Sequence, residues 1–132
     1  MKRRADTPLE QLVPTFAALA DRTRLRLLHL MHGREVCVCY FVEVLGQSQP
    51  KISRHLAYLR KSGLVLAHRD GKWMHYRIDR TKSPEILGVI EEALNALRSD
   101  GQMRRDLEKL DKACCQPHHL VTLQDAPVPA II

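Results

Sequence analysis

From Leu9 to Leu19 the apolar residues Leu9, Leu12, Val13, Phe16 and Leu19 recur at intervals of three and four, which gathers them on one face of a helix. Asp21 stands where an N-cap opens a second helix, whose apolar positions Leu25, Leu27, Leu28 and Met31 run to a stop at Gly33. Val38, Phe41, Val42 and Leu45 define a third helix ending at Gly46, and Ser48 caps a fourth with Pro50 in its first turn. Only a tight turn separates these two. In the fourth, Ile52, Leu56 and Leu59 form the inward stripe, leaving Gln49, Lys51, Ser53, Arg54, His55 and Tyr58 largely outside it. Gly63 ends this helix. The period then changes: Leu64 to Arg69 and Trp73 to Ile78 read as strands joined at Asp70-Gly71, a strong two-residue hairpin signal.

A helix, tight turn and helix followed by a hairpin is a winged helix-turn-helix, so the expected fold is mainly α with a small β-hairpin. Ser83-Pro84-Glu85 starts a further helix carrying Ile86, Leu87, Ile90, Ala93, Leu94 and Leu97, interrupted at Ser99-Asp100-Gly101. Met103, Leu107 and Leu110 mark a last helix running into Cys114 and Cys115, after which Pro117 and the stretch to Ile132 carry no clear period. Residues 1–115 therefore read as a single domain and 116–132 as a flexible tail. The first and last helices hold more apolar surface than so small a fold can bury alone, which makes them candidates for a homodimer interface.

Composition narrows the class. At 132 residues the chain suits one modest core. Lys and Arg number 21 against 15 Asp and Glu, a formal net charge of +6 that points first to a polyanionic partner. No apolar run is long enough to span a bilayer, and the basic start Met1-Lys2-Arg3-Arg4 precedes no signal-peptide core, so the expectation is a cytoplasmic protein with no membrane partner. The four cysteines fall in two close pairs, Cys37/Cys39 and Cys114/Cys115, an arrangement that in a reduced compartment points to soft-metal binding or thiol redox chemistry more than to structural disulfides. Buried, inert thiols are the alternative for the first pair.

The stretches "ALADRTRLRLLHLM", "EVCVCYFVEVLGQSQPKISRHLAYLRKSGLV" and "RDGKWMHYRI" together resemble the ArsR/SmtB family of small winged-helix repressors that respond to arsenic and metals. The likeness spans roughly Leu9 to Leu97, with three motifs in the family's order and spacing. It implies a homodimer that binds double-stranded operator DNA when ligand-free and releases it when an inducer binds. It also makes Ser48 to Lys61 the recognition helix and Leu64 to Ile78 the wing.

Chemistry supports the DNA assignment. Recognition helices put their N-terminal half in the major groove, where Gln, Ser, Lys and Arg reach base edges. Ser48, Gln49, Lys51, Ser53 and Arg54 fit that role, while His55 and Tyr58 are open between phosphate contact and solvation. In the wing, Arg69, Lys72, His75 and Arg77 can contact phosphates or the minor groove, or simply form a solvated basic hairpin. Trp73 and Tyr76 read as packing residues. An aromatic content of 5% argues against a reader of single strands or RNA built on stacking.

The first cysteine pair points to the inducer. As(III) and Sb(III) are soft, thiophilic ions usually held by three thiolates, and Cys37 and Cys39 supply two. Residues i and i+2 of a regular helix point roughly 200° apart, so convergence of both sulfurs is expected to require a distorted helix start. Some arsenic-responsive members look like Cys-x-Cys-x-x-Cys, but the third position here is Val42. Cys114 and Cys115 are the expected source of the missing ligand, within the subunit or across the dimer. A separate zinc site of Cys114, Cys115, His118 and His119 competes with that reading.

Other sensing sites of the family fit less well. Residues 1–36 hold no cysteine of the kind lead- and cadmium-responsive members add, and Ser83 to Arg98 has Glu85, Glu91 and Glu92 but no His for a zinc site. A thiol-redox sensor or a zinc- or cadmium-responsive repressor of the same fold remains the alternative. An enzyme is not expected: there is no convergent set of Ser, His and Asp, no glycine-rich phosphate loop and only 6 glycines, so neither a catalytic cofactor nor a small organic substrate is anticipated.

Overall fold

The computed structural model describes residues 7–115, 123 and 125–132, with Cys115 described in its backbone alone. The elements run α1 (Pro8–Leu19), α2 (Arg22–Leu30), β1 (Arg34–Cys37), α3 (Val38–Leu45), α4 (Gln49–Lys61), β2 (Val65–Asp70), β3 (Trp73–Ile78), α5 (Pro84–Ala96), α6 (Gly101–Cys115) and β4 (Ala130–Ile131). This is the winged helix-turn-helix expected from the pattern.

The helix starts are set by side-chain caps. Asp21 Oδ2 accepts from the Arg24 N–H at 3.0 Å, and the hydroxyls of Ser48 and Ser83 accept from the N–H groups of Lys51 and Ile86, each at 3.4 Å. Each cap satisfies a backbone donor that the first turn leaves without a partner. Gly46, in the left-handed region at φ 65°, closes α3 and turns the chain into α4.

The hairpin turn lies one residue beyond the expected place. Asp70 pairs with Trp73, so Gly71 and Lys72 form the loop, with Gly71 at φ 61° in its first position. Hairpin loops need positive φ there to match the strand twist, and glycine adopts it without steric cost.

Two strands were not anticipated. β1 pairs antiparallel with β3 through Val36 and Tyr76, and β4 pairs with β1 through Arg34 and Ile131, giving the sheet order β2-β3-β1-β4. The sequence reading expected a flexible stretch after Cys115; among the described residues there, Leu123 is fully buried and Ala130–Ile131 forms a strand.

The core is built from Leu27, Leu28, Tyr40, Phe41, Ile52 and Leu56, all without solvent exposure. α6 joins it through Leu110 and Ala113, and Met103 on the same helix is also buried. Its anchor is polar. The Arg26 guanidinium grips Asp106 through two hydrogen bonds of 2.8 and 2.9 Å, and Gln102 donates to the same carboxylate at 2.9 Å. Leu9, Val13 and Phe16 on α1 remain exposed. No helix among the described residues is long and apolar enough to cross a membrane.

Candidate metal centre and nucleic-acid interface

Cys37 is both the last residue of β1 and the N-cap of α3, with extended backbone at φ −71° and ψ 143°. Cys39 is the second helical residue. The junction falls between them, so the 200° divergence of a regular helix does not apply and the two sulfurs stand 3.2 Å apart. The expected distortion is therefore unnecessary: the strand-to-helix corner already makes the pair converge.

The Cys39 S–H donates to the Cys37 sulfur, and this bond is the main reason the Cys37 thiol is lowered to about 7. Burial opposes the shift, while backbone N–H groups of Cys39, Val38 and Met74 reinforce it. Cys39 moves the other way, held protonated by the same bond, by burial and by the charge on Cys37. At neutral pH the pair thus resembles one thiolate with a thiol donating to it.

Cys114 sits on the last turn of α6, packed against the core, with its S–H donating to the Asp111 carbonyl at 3.4 Å. Cys37, Cys39 and Cys114 are not joined in disulfides. Among the described residues no group of three or more His, Cys, Asp or Glu is arranged to hold a metal ion, so Cys114 is not gathered with Cys37 and Cys39 into one ligand set. The Cys115 side chain, His118 and His119 lie outside the described residues. Val42 is half-buried against the core. On α5, Glu91 is engaged by His32 at 2.8 Å and Arg80 at 3.2 Å, while Glu85 and Glu92 are exposed.

The α4 surface divides in two. Ser48, Gln49, Lys51 and Arg54 are exposed at its N-terminal half, with Ser53 half-buried beside them. His55 and Tyr58 instead face the start of α2: His55 Nδ1 lies 3.7 Å from Asp21, and the Arg24 guanidinium stacks 4.1 Å from the Tyr58 ring centroid. Arg24 also donates to the carbonyls of Ala18 and Ala17, so this contact ties α4 to the end of α1. In the wing Arg69, Lys72 and Arg77 are exposed, whereas His75 is buried, stacked on His68 with ring centroids 5.0 Å apart. Trp73 lies partly buried against the core, with the Lys72 ammonium 4.9 Å from its ring.

Sequence reasoning missed three features here. Asp106 and Arg26 were not singled out in the sequence, and nothing local signals that they bury together. Tyr40 was not among the apolar positions that defined the third helix, yet it is fully buried, and its hydroxyl has no hydrogen-bond partner among the described residues. The half-buried Glu35 draws the wing residue His68 to 3.3 Å across the sheet, a contact that depends on the unanticipated β1.

Over residues 21–66 the chain matches the family described as "Bacterial regulatory protein, arsR family". It is 48% identical over 82 residues to the arsenical resistance operon repressor of Escherichia coli (strain K12), covering 61% of this chain and 70% of that protein. It is 38% identical over 114 residues to the arsenic resistance transcriptional regulator ArsR2 of Pseudomonas putida, covering 76% of this chain and 94% of the relative. Among solved structures, the AntR antimony-specific transcriptional repressor superposes with a TM-score of 0.56 at 31% identity, covering 77% of this chain and 92% of that one.

Proposed function

Because this chain belongs to the arsR family of bacterial regulatory proteins, we propose that it is a metalloid-responsive repressor, which holds operator DNA when ligand-free and releases it when As(III) or Sb(III) is bound by cysteine thiolates. The observation that carries this reading is the convergence of Cys37 and Cys39 at the start of α3, 3.2 Å apart and with Cys37 poised as a thiolate near neutral pH. Soft, trivalent ions prefer such sulfur donors to oxygen or nitrogen. Two thiolates leave a trivalent ion one ligand short, and Cys114 or Cys115, at the end of α6, would supply the third.

Coupling to DNA follows from where the site sits. α3 is the support on which α4 rests, so a shift of its first turn changes how the recognition helix is presented. The pair itself needs no unwinding. The displacement comes from drawing the end of α6, anchored on α2 through Asp106, toward the start of α3. A coupling of about 1–3 kcal/mol corresponds to roughly a 5- to 150-fold loss of operator affinity.

On DNA, Gln49, Lys51, Ser53 and Arg54 read base edges from α4, and Arg69, Lys72 and Arg77 contact the backbone from the wing. Ser48 caps the helix, and His55 and Tyr58 brace it against α2. A second copy covers the apolar groove of about 860 Å³ between α1 and α5, lined by Phe16, Leu19, Leu25, Val89, Ala93 and Leu97.

The same thiols favour one other reading, a sensor whose Cys37 and Cys39 are oxidised. Operator binding measured by fluorescence anisotropy under reducing conditions separates the two. Arsenite or antimonite should release wild-type protein and fail to release Cys37→Ser, whereas release by an oxidant alone would establish the redox reading instead.

A further inference from the structure

The buried hydroxyl of Tyr40 makes no hydrogen bond among the described residues. Tyr40 is fully buried in α3, next in sequence to Cys39, and its oxygen has no hydrogen-bond partner among the described residues. A hydroxyl taken out of water without a partner carries the whole desolvation cost of that group, and native cores rarely keep one without a reason. Two other buried polar atoms share this condition, His29 Nδ1 and Gln47 Oε1, but they belong to α2 and to the turn before α4. Of the three, Tyr40 alone is next in sequence to a cysteine of the candidate site. Burial pushes its phenol up to about 12, and the charges of Cys39, Cys114 and Cys37 add to that shift. The group is a hydrogen-bond donor without an acceptor among the described residues.

The proposed inducer provides that acceptor. Arsenous acid carries three hydroxides on trivalent arsenic. Condensation with the Cys37 and Cys39 thiols forms two As–S bonds, breaks two As–O bonds and releases two waters, and arsenic stays trivalent. One hydroxide remains. We infer that Tyr40 is a further binding residue of the inducer site, its hydroxyl donating a hydrogen bond to the oxygen that arsenite or antimonite keeps after condensing with Cys37 and Cys39. This rests on the metalloid reading above and adds to it a preference: the two-thiol site selects inducers that retain a hydroxide over those that carry an organic group in its place. Exchange of that hydroxide for a Cys114 or Cys115 thiolate would complete a three-sulfur site in a later step.

The test uses the full chain with Cys114→Ser/Cys115→Ser, so that no further thiolate displaces the hydroxide, with and without Tyr40→Phe. Two probes are titrated, arsenous acid and methylarsonous acid, and binding is read from the sulfur-to-arsenic absorption band. Methylarsonous acid bound to two thiolates keeps a methyl group and no hydroxide. Tyr40→Phe should weaken arsenous acid binding about five- to tenfold, the effect of one hydrogen bond, and leave methylarsonous acid binding unchanged. Equal weakening of both probes would make Tyr40 a packing residue, and no weakening of either would remove it from the site; each overturns the inference while the metalloid reading stands. If neither probe gives the band in the parent, the metalloid reading fails and this inference with it. Thermal melting of the ligand-free proteins supplies a readout independent of binding. The Phe variant should melt at or above the parent temperature, because it loses an unpartnered hydroxyl, and a marked drop would reveal a structural hydrogen bond and overturn the assignment.

Discussion

The sulfurs of Cys37 and Cys39 stand 3.2 Å apart because a strand ends at one residue and a helix begins before the other. Cys37 thereby gains what lowers a thiol: a neighbouring S–H donor and the backbone N–H groups of a helix start. Its acidity is thus a property of the corner and not of the residue alone.

That acidity predicts a pH profile. The ultraviolet absorbance of the thiolate should titrate with a midpoint near 7 in the folded protein. Cys39→Ala removes the first contributor to the shift and should move the midpoint up toward the ordinary thiol value. The linkage sign follows: a lowered folded-state pKa stabilises the fold fully above the unfolded thiol value, and the gain is lost as pH falls through about 7. A midpoint that does not move in Cys39→Ala would transfer the effect to the backbone N–H groups.

The Arg26–Asp106 pair makes α6 part of the domain. The Asp106 side chain is 1% exposed and that of Arg26 11%, so removing one partner strands a buried charge. Asp106→Ala should cost about 3–5 kcal/mol in chemical denaturation. The double variant Arg26→Met/Asp106→Leu should recover most of this loss, since two apolar side chains leave no charge behind. Recovery confined to the single variants with added salt would mark the pair as solvated instead.

How much of this was legible depended on the range of the interaction. The caps at Asp21, Ser48 and Ser83 were readable because a side chain three residues from its backbone partner is a local event. β1 was not, because its four residues acquire strand character only by pairing Val36 with Tyr76, far along the chain. β4 is two residues long and has no period to detect. α6 was legible as a helix, but its anchor on α2 was not, since Asp106 on the inner face looks like a solvent-facing charge until Arg26 is brought to it. The cysteine geometry turned on a single residue of helix boundary. With α3 starting at Val38, Cys37 lies outside the helix, and the periodicity argument that set the two thiols apart loses its premise.

His29 predicts an acid limit to stability. It is 5% exposed, and its pKa is lowered first by burial and then by the positive charges of His32 and Arg34. Below the ordinary value of 6.5 the unfolded chain takes up a proton that the folded chain refuses, so stability falls with pH, at most about 1.4 kcal/mol per pH unit from this group. The loss levels off once pH passes below the folded-state pKa. Urea denaturation of wild type and His29→Leu between neutral and mildly acidic pH should show a shallower decline in the variant. Parallel declines would assign the acid sensitivity to other groups.

The division of the basic surface predicts two kinds of DNA variant. Arg54 is exposed on the N-terminal half of α4, where a guanidinium can reach a base edge, and Lys72 is exposed at the tip of the wing, where an ammonium meets phosphate. Arg54→Ala should weaken operator binding by about 1–3 kcal/mol and reduce discrimination against altered operators at the contacted position. Lys72→Ala should weaken all sequences alike and lower the slope of log affinity against log salt by about one. Tyr58→Phe, which keeps the ring under Arg24, should do neither, because the ring braces α4 from the side facing α2. Competition binding at several salt concentrations reads all three together. A fall in salt slope for Arg54→Ala with specificity intact would move that residue from the bases to the backbone and leave Gln49 and Lys51 as the readers of sequence.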